Sequence, residues 1–212
     1  MGKYGRGAFG RFIGKIGNLV GSTWKNVDYM RMKPDKKRTS FSDAQLVQQL
    51  KFKTAVDFLR TFTRLTNQTF MSVNDKMTGY NRALQYVLKN AITGTSPNYT
   101  INYSMVLISQ GDLPEELDAK AVAAPNAVTF TWTYSTSGAG LSKPTDKAIL
   151  LVYCEALKRS VFTLNGADRS AGTATLNVPN FKGQVVETWI GFISADGKEI
   201  ATSLYTGQVT IA

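Results

Sequence analysis

Cationic side chains interleaved with aromatic ones mark the start of the chain, and their chemistry is the binding of phosphates and bases. Residues 1–38 hold ten basic and two acidic residues, so they account for +8 of the net charge of +10. Trp24 and Tyr29 lie among these cations, as in surfaces that stack bases and neutralise phosphates. A short strand with aromatic side chains in the core is the simpler interpretation of the same stretch. The candidate contacts for nucleic acid or another anion are Arg6, Arg11, Lys15, Trp24, Lys25, Arg31, Lys33, Lys36, Lys37 and Arg38.

Catalytic chemistry has little support in the residue types. The chain has no histidine and one cysteine, Cys154, which argues against a His- or Cys-based metal site and against a histidine-activated nucleophile. Residues 5–10 have the glycine spacing of a dinucleotide-binding loop, but no strand precedes them. The acidic residues between 112 and 118 are more simply a solvated turn than a cation site. We expect no enzyme activity, no catalytic residues, no cofactor, no metal and no small-molecule substrate.

The sequence also limits the cellular compartment in which the protein is expected. One cysteine cannot form an internal disulfide, so nothing indicates an oxidising environment. Charges or glycines interrupt the first 21 residues every few positions, unlike the apolar core of a signal peptide. No stretch approaches the roughly 18 apolar residues of a membrane span. We expect a protein without a signal peptide that is cytoplasmic, or particle-associated after assembly.

Regularly spaced glycines run through residues 1–38, which we call the arm. On a helix, their 3-4-3-4 spacing would form one seam beside an apolar stripe, and small-xxx-small pairs let backbones approach closely. Each interior glycine costs about 1 kcal/mol relative to alanine, so such a helix needs a partner surface. A flexible arm and a docked extended or looped arm are the alternatives. The candidate assembly residues are Gly7, Phe9, Gly10, Phe12, Ile13, Gly14, Ile16, Gly17, Val20 and Gly21.

Two helices are predicted after the arm, within a helical segment at residues 39–95. Ser42 and Gln45 have the spacing of a capping box, and apolar residues then recur at helical intervals, which predicts a helix over residues 43–65. A second, shorter helix is expected over residues 77–90, with Gly94 as a stop signal just past its end. Both are amphipathic, so each must pack on another element.

Alternating apolar and polar residues dominate the remainder, residues 96–212. Strands are expected near residues 100–105, 128–134, 148–153, 160–164, 173–178, 185–194, 200–205 and 209–211. Trp132 is a plausible core anchor, and Asp196-Gly197 is a two-residue hairpin signal. Roughly seven short strands predict an antiparallel β-sandwich of the immunoglobulin or fibronectin III type, without its disulfide. The fold class is therefore mainly β with an α segment: a basic N-terminal arm, two helices and a C-terminal sandwich.

One set of motifs extends over nearly the whole chain. Its residues are Gly14-Lys15 through Gly21, Trp24-Lys25, Tyr29, Arg31, Pro34, Gln45, Gln49, Lys89 through Gly94, Gly111 through Pro114, Gly172 through Ala174, Phe192 through Ser194, and Asp196 through Glu199. In these residues the sequence resembles an uncharacterised domain-of-unknown-function family found in many Bacteroidota genomes. The resemblance implies that the arm is part of the protein, although it implies no activity.

Two functions fit these observations. A structural or assembly protein, in which the arm mediates contacts between copies of the chain, fits the basic leader ahead of a sandwich. A phage-like or virus-like particle is one form of such a homo-oligomer. The alternative is sequence-independent binding of nucleic acid through residues 1–38, which would be strongly salt-dependent. A partner-binding module remains a third possibility.

Overall fold

A computed structural model describes residues 3–4, 11–24, 26–33, 40–70, 77–115, 117–134 and 142–212. The chain divides into two compact units, Met1–Gln45 and Leu46–Ala212. The first unit contains a small β-sheet, and the second contains the helices and the sandwich.

The first unit contains an antiparallel sheet, the N-terminal sheet, whose strands follow one another in sequence order. Its strands are β1 (Lys3–Tyr4), β2 (Phe12–Ile16), β3 (Leu19–Trp24) and β4 (Val27–Met32). Gly17 and Asn18 connect β2 to β3, with Ile16 opposite Leu19. The φ of Gly17 is 55°, a value that glycine adopts without steric cost. This turn makes β2 and β3 a tight hairpin.

A helical arm is wrong for Phe12–Ile16, Leu19–Trp24 and Val27–Met32, because the backbone of these residues is extended. Gly14 has a φ of 110°, which no helix contains, and it lies opposite Gly21 across the β2–β3 ladder. The glycine spacing that suggested a helical seam therefore places two glycines side by side in a sheet. The expected glycine-lined surface exists at Gly14 and Gly21, but strand pairing produces it.

The helical segment is close to its predicted extent. Its helices are α1 (Asp43–Leu59), α2 (Thr63–Thr69) and α3 (Gly79–Asn90), with a 3₁₀ turn at Arg60–Phe62 between the first two. The Gln45 side chain accepts a hydrogen bond from the Ser42 amide at 3.2 Å, which is one half of the predicted capping box. The α3 helix begins after Thr78, whose hydroxyl accepts from the Asn81 amide at 3.3 Å.

Gly94 does not end α3, contrary to the prediction. The helix stops at Asn90, and Gly94 lies in the hairpin of β5 (Ile92–Thr95) and β6 (Asn98–Ile101). A Cβ atom on Gly94 would lie 2.5 Å from the Asn98 carbonyl oxygen, and its φ is 93°. This glycine is required by the close approach of the two hairpin strands rather than by a helix end.

Among the described residues, the sandwich contains seven strands in two antiparallel sheets, which confirms the predicted fold class. The strand at residues 117–124 was not predicted, and the strands expected over residues 200–205 and 209–211 are one strand. One sheet has the order β11-β8-β7 and the other has the order β10-β9-β12-β13, the arrangement of a fibronectin III-like sandwich. The strands are β7 (Leu117–Ala124), β8 (Ala127–Thr133), β9 (Lys147–Cys154), β10 (Arg159–Thr163), β11 (Thr173–Asn177), β12 (Val185–Ile193) and β13 (Leu204–Thr210).

Two predicted strand boundaries are wrong. The strand expected over residues 100–105 ends at Ile101, and a 3₁₀ turn follows at Tyr103–Met105. The strand expected over residues 200–205 begins only at Leu204. Before it, the Ser203 hydroxyl accepts hydrogen bonds from the amides of Ile108 and Ser109, at 2.8 and 3.2 Å. These contacts hold residues 200–203 against another segment, so β13 starts late. Asp196-Gly197 lies in a turn, but the loop joining β12 to Ile200 is longer than two residues.

The sheet β10-β9-β12-β13 is covered on both faces. One face, including Leu150 and Ile190, packs in the core between the two sheets with Trp132, the predicted anchor. The opposite face, including Leu151 and Trp189, packs in a second core with residues of all three helices. The helices therefore form a third layer on the sandwich, and this packing buries their apolar side chains.

Candidate assembly interface

The strand register assigns the side chains of the N-terminal sheet to two faces. In an antiparallel ladder, residues directly opposite one another point to the same face, and neighbours along a strand alternate. Gly14, Gly21 and Met30 form one such row, and Lys15, Val20 and Arg31 form the next, on the other face. We call these the apolar face and the basic face.

The apolar face presents a cluster of large apolar side chains. Ile16, Leu19 and Met32 lie in one row across three strands. Leu19, Met30 and Met32 are 45%, 67% and 71% exposed, although such side chains are usually buried in folded domains. Contiguous exposed apolar surface of this kind marks an interaction site.

Two glycines leave part of the apolar face without side chains. A Cβ atom on Gly21 would lie 2.4 Å from a ring carbon of Phe12, so the Phe12 ring covers the space that a side chain would fill. Gly14 lies opposite Gly21 and also lacks a side chain. The face is therefore a shallow depression floored by backbone and one aromatic ring, beside the ridge of Ile16, Leu19 and Met32.

The one acidic residue of the apolar face is neutralised. The Thr23 hydroxyl donates a hydrogen bond to the Asp28 carboxylate at 2.5 Å, and Arg11 Nε lies 3.8 Å from the same oxygen. Thr23 and Asp28 are directly opposite one another, which places this cluster at the end of the sheet farthest from Leu19. The remaining described residues of the face are uncharged.

The basic face combines cations with aromatic rings. Lys15 and Arg31 flank Val20 in one row, while Tyr29 lies opposite Ser22, and Trp24 opposite Val27. Trp24 is 58% exposed and Tyr29 is 44% exposed. The simpler expectation, that these aromatic side chains belong to a core, is therefore wrong. All described residues of this face are neutral or cationic.

In the unit Leu46–Ala212, the most strongly perturbed groups are tyrosines at the core beneath the helices. Burial, followed by the nearby Glu155 charge, raises the pKa of Tyr153 to about 12 and raises the pKa of Tyr103 further. Burial and a hydrogen bond to Glu187 raise the pKa of Tyr205. These hydroxyls stay protonated at neutral pH, so they act as structural donors rather than as bases.

A depression of about 260 Å³ lies beside these rings. Each of its two acids lies near a basic residue three positions further along the chain: Asp57 is 3.5 Å from Arg60, and Glu155 is 3.6 Å from Lys158. Among the residues that the structure describes, no group of three or more potential metal ligands occurs. Within the same residues, no helix is long and apolar enough to cross a membrane. The N-terminal sheet thus remains the strongest candidate site.

Comparison with known proteins places both units in one family. The family of unknown function DUF6266 matches residues 11–207, from the residue before β2 into β13. The chain belongs to this family. Among solved structures, it is similar to the fn3 domain of the human collagen alpha-1(XX) chain, with 14% identity and a TM-score of 0.33, over 49% of this chain and 90% of that one. The comparison with curated proteins gave no match.

Half of the predicted site residues fall on this sheet. Phe12, Gly14, Ile16 and Gly21 lie on the apolar face, and Gly17 lies in the turn beside it. Ile13 and Val20 were predicted with them but lie on the basic face, because neighbours along a strand alternate. Lys15, Trp24 and Arg31 share that face, while Arg11 contacts Asp28 and Lys33 follows β4. The predictions for Arg6, Gly7, Phe9, Gly10, Lys25, Lys36, Lys37 and Arg38 lie outside the described residues.

Several exposed residues of the sheet were missed. Leu19, Met30 and Met32 belong to the apolar face, and Tyr29 and Val27 belong to the basic one, yet none was predicted as a site residue. The signal that could have found them is the Gly17-Asn18 turn between two short runs that contain β-branched and aromatic residues. Helical periodicity was applied to the glycine-rich residues up to Gly21, and the stretch after it was interpreted as a strand with its aromatic side chains in a core.

Proposed function

We propose that this protein is a non-enzymatic structural protein that assembles with copies of itself through the apolar face of the N-terminal sheet. The observation that carries the proposal is the concentration of exposed apolar residues. Among the described residues, half of the large apolar side chains that are exposed lie between Ile13 and Met32. A sheet with apolar side chains is stable only when a packed layer covers a face, so this unit calls for a partner.

A second copy suits the apolar face better than a charged partner does. With Asp28 paired to Arg11, the face offers a partner no net charge to complement. It combines a ridge at Leu19 with a glycine depression at Gly14 and Gly21, and two such faces related by a two-fold axis could place each ridge in the other depression. The exposed Met30 and Met32 side chains are flexible enough to fill the remaining gaps.

The proposed setting follows the sequence expectations. The assembly would form in the cytoplasm of a Bacteroidota cell, and a phage-like or virus-like particle is one form that it could take. A closed dimer requires only the two-fold contact described above. A larger particle requires a second contact, for which the arm residues ahead of β2 are the candidates.

The experiment is light scattering after size exclusion, at low and high salt, on the whole chain and two matched variants. Leu19→Glu and Val27→Glu each replace the first residue of a strand, and the two positions are 45% and 48% exposed on opposite faces. We expect the wild type and Val27→Glu to be oligomers that high salt does not dissociate, since apolar contacts are not screened. Leu19→Glu should be a monomer of 23.2 kDa.

Three results would count against the proposal. The wild type could be a monomer at every concentration tested. The two variants could behave alike, which would mean that the apolar face is not the interface. The oligomer could dissociate in salt and contain nucleic acid, as an absorbance ratio at 260 and 280 nm would show. That result would instead mean that bound nucleic acid holds the copies together.

A further inference from the structure

The basic face of the N-terminal sheet has no role in the assembly proposed above. Its charge is segregated from the apolar face: Lys15 and Arg31 lie on one side of the sheet, and Asp28 lies on the other. Lys33 continues the alternation of β4, which places it beside Arg31, and its amide donates to the Asn18 carbonyl oxygen at 2.7 Å. Within the described residues, neither Lys15 nor Arg31 makes an ion pair, so both are available to an anion.

Two aromatic rings occupy the other end of the same face. Trp24 and Tyr29 are diagonal neighbours on β3 and β4, so their Cα atoms are roughly 7–8 Å apart. Arg31 follows Tyr29 by two residues, about 7 Å further along the strand. The row of Lys15 and Arg31 thus lies four residues, about 13 Å, from the row of Trp24, and Lys33 lies about 20 Å from it.

We propose that the basic face binds single-stranded nucleic acid, with bases stacked on Trp24 and Tyr29 and phosphates held by Lys15, Arg31 and Lys33. Every base has a π-face, so stacking on a sheet needs no particular sequence. A duplex cannot use these rings, because its bases are already stacked and paired. Binding should therefore favour single strands and tolerate any sequence.

A lipid surface is the main competitor for such a face, and the distribution of side chains argues against it. Membrane-surface elements bury their most apolar side chains while flanking cations contact the head groups. Here the most exposed apolar side chains, Met30 and Met32, point away from the cations and lie on the apolar face. A polyanion with stackable bases fits the basic face better.

Tryptophan fluorescence gives a direct readout. The chain has three tryptophans, and Trp132 and Trp189 are buried, so a bound base should quench the emission of Trp24 selectively. The experiment titrates the whole chain with a labelled oligothymidylate, the same oligonucleotide as a duplex, and vesicles of anionic phospholipid. We expect quenching and raised anisotropy with the single strand, and much weaker responses with the other two.

Variants then test each part of the site. Trp24→Ala and Tyr29→Ala should each weaken binding about five- to a hundredfold, while Trp24→Phe should keep most of it. The affinity should fall with salt at a log–log slope of about −2 for three phosphates, and Arg31→Gln should reduce that slope by about 0.7. Val122→Ala, which shortens a 59% exposed side chain on β7 of the sandwich, is the control and should bind as the wild type does.

The proposal is overturned by any of three results. The single strand could fail to quench Trp24 at low salt. Trp24→Ala and Tyr29→Ala could bind as tightly as Val122→Ala, which would assign binding to other basic residues of the arm. Vesicles could compete with the oligonucleotide and shift the emission of Trp24 to shorter wavelength, which would make the face a lipid-binding surface. Circular dichroism of each variant confirms that a loss of binding is not a loss of fold.

Discussion

Two four-stranded antiparallel sheets in this chain have opposite patterns of burial. In the sandwich sheet β10-β9-β12-β13, seven of the eight residues of β9 are buried, whereas all six residues of β4 in the N-terminal sheet are exposed. The residues explain the difference. The β9 strand is a nearly continuous apolar run, typical of a strand covered on both faces, while β4 contains two charged residues among its six.

The comparison separates stability from binding. In the sandwich sheet, the second sheet buries the apolar side chains of one face and the helices bury those of the other face. The N-terminal sheet leaves eight large apolar side chains exposed. Burial of apolar area is the main source of folding free energy, so the sandwich sheet should contribute most to stability. The N-terminal sheet should contribute most to association.

Two tryptophans, one in each sheet, give the largest expected difference. Trp189 is buried against Phe58, Tyr103 and Tyr205, and its indole donates to the Val106 carbonyl oxygen at 3.2 Å. Trp189→Ala should lower the free energy of unfolding by about 3–5 kcal/mol. Trp24→Ala should lower it by less than about 0.5 kcal/mol. Urea denaturation followed by circular dichroism measures both.

An equal effect of the two substitutions would break the comparison. If Trp24→Ala also cost several kcal/mol, the N-terminal sheet would contribute to the main cooperative unit, and its exposed rings would have a structural role. The buried Trp132→Ala is a second reference within the sandwich and should resemble Trp189→Ala, because it also leaves a cavity.

The second largest effect is expected at alkaline pH, which should lower the free energy of unfolding of the unit Leu46–Ala212. The pKa of Tyr153 is raised from 10.0 to about 12, and Tyr103 and Tyr205 shift in the same direction. The unfolded chain then loses these protons at lower pH than the folded one. The stabilisation is therefore complete below pH 10 and is lost as the pH rises from 10 towards 12.

The measurement is the urea midpoint as a function of pH, together with tyrosinate absorbance. Tyr153→Phe removes one of the titrating groups, so its stability should decline less steeply above pH 10 than that of the wild type. A midpoint that stays constant up to pH 12 in the wild type would mean that these hydroxyls ionise in the folded state at their ordinary pKa.

The sequence predicted the sandwich well and the N-terminal sheet poorly, for a physical reason. Strands such as β8 and β12 contain enough apolar residues for their period to be read directly. Residues 12–21 are rich in glycine. Because glycine has no side chain whose polarity could reveal a helical or a two-residue periodicity, a helix and a strand fitted this stretch equally well. Residues 27–32 combine apolar and charged residues without strict alternation, and their full exposure is not encoded in that local pattern.

The third layer was also beyond local pattern. The amphipathic helices were expected to pack on some element, and the run of apolar residues in β9 indicates a strand covered on both faces. Joining the two observations would have predicted the helices on the sandwich. Neither observation alone identifies Trp189 as the residue that meets Phe58, because that contact spans more than a hundred residues of chain.

A pair of glycines gives the smallest and most selective effect. Gly17 in the N-terminal sheet and Gly183 before β12 have φ values of 55° and 71°, and no atom lies within 4 Å of a Cβ atom built on either. Alanine at each position should therefore cost about 1 kcal/mol from backbone strain alone.

Gly183→Ala should lower the free energy of unfolding measured by circular dichroism. Gly17→Ala should leave that value unchanged and increase hydrogen exchange at the amides of β2 and β3, since its strain is confined to a hairpin that can open locally. Equal losses of global stability in both variants would show that the two sheets unfold together, and the division between a stabilising sheet and a binding sheet would fail.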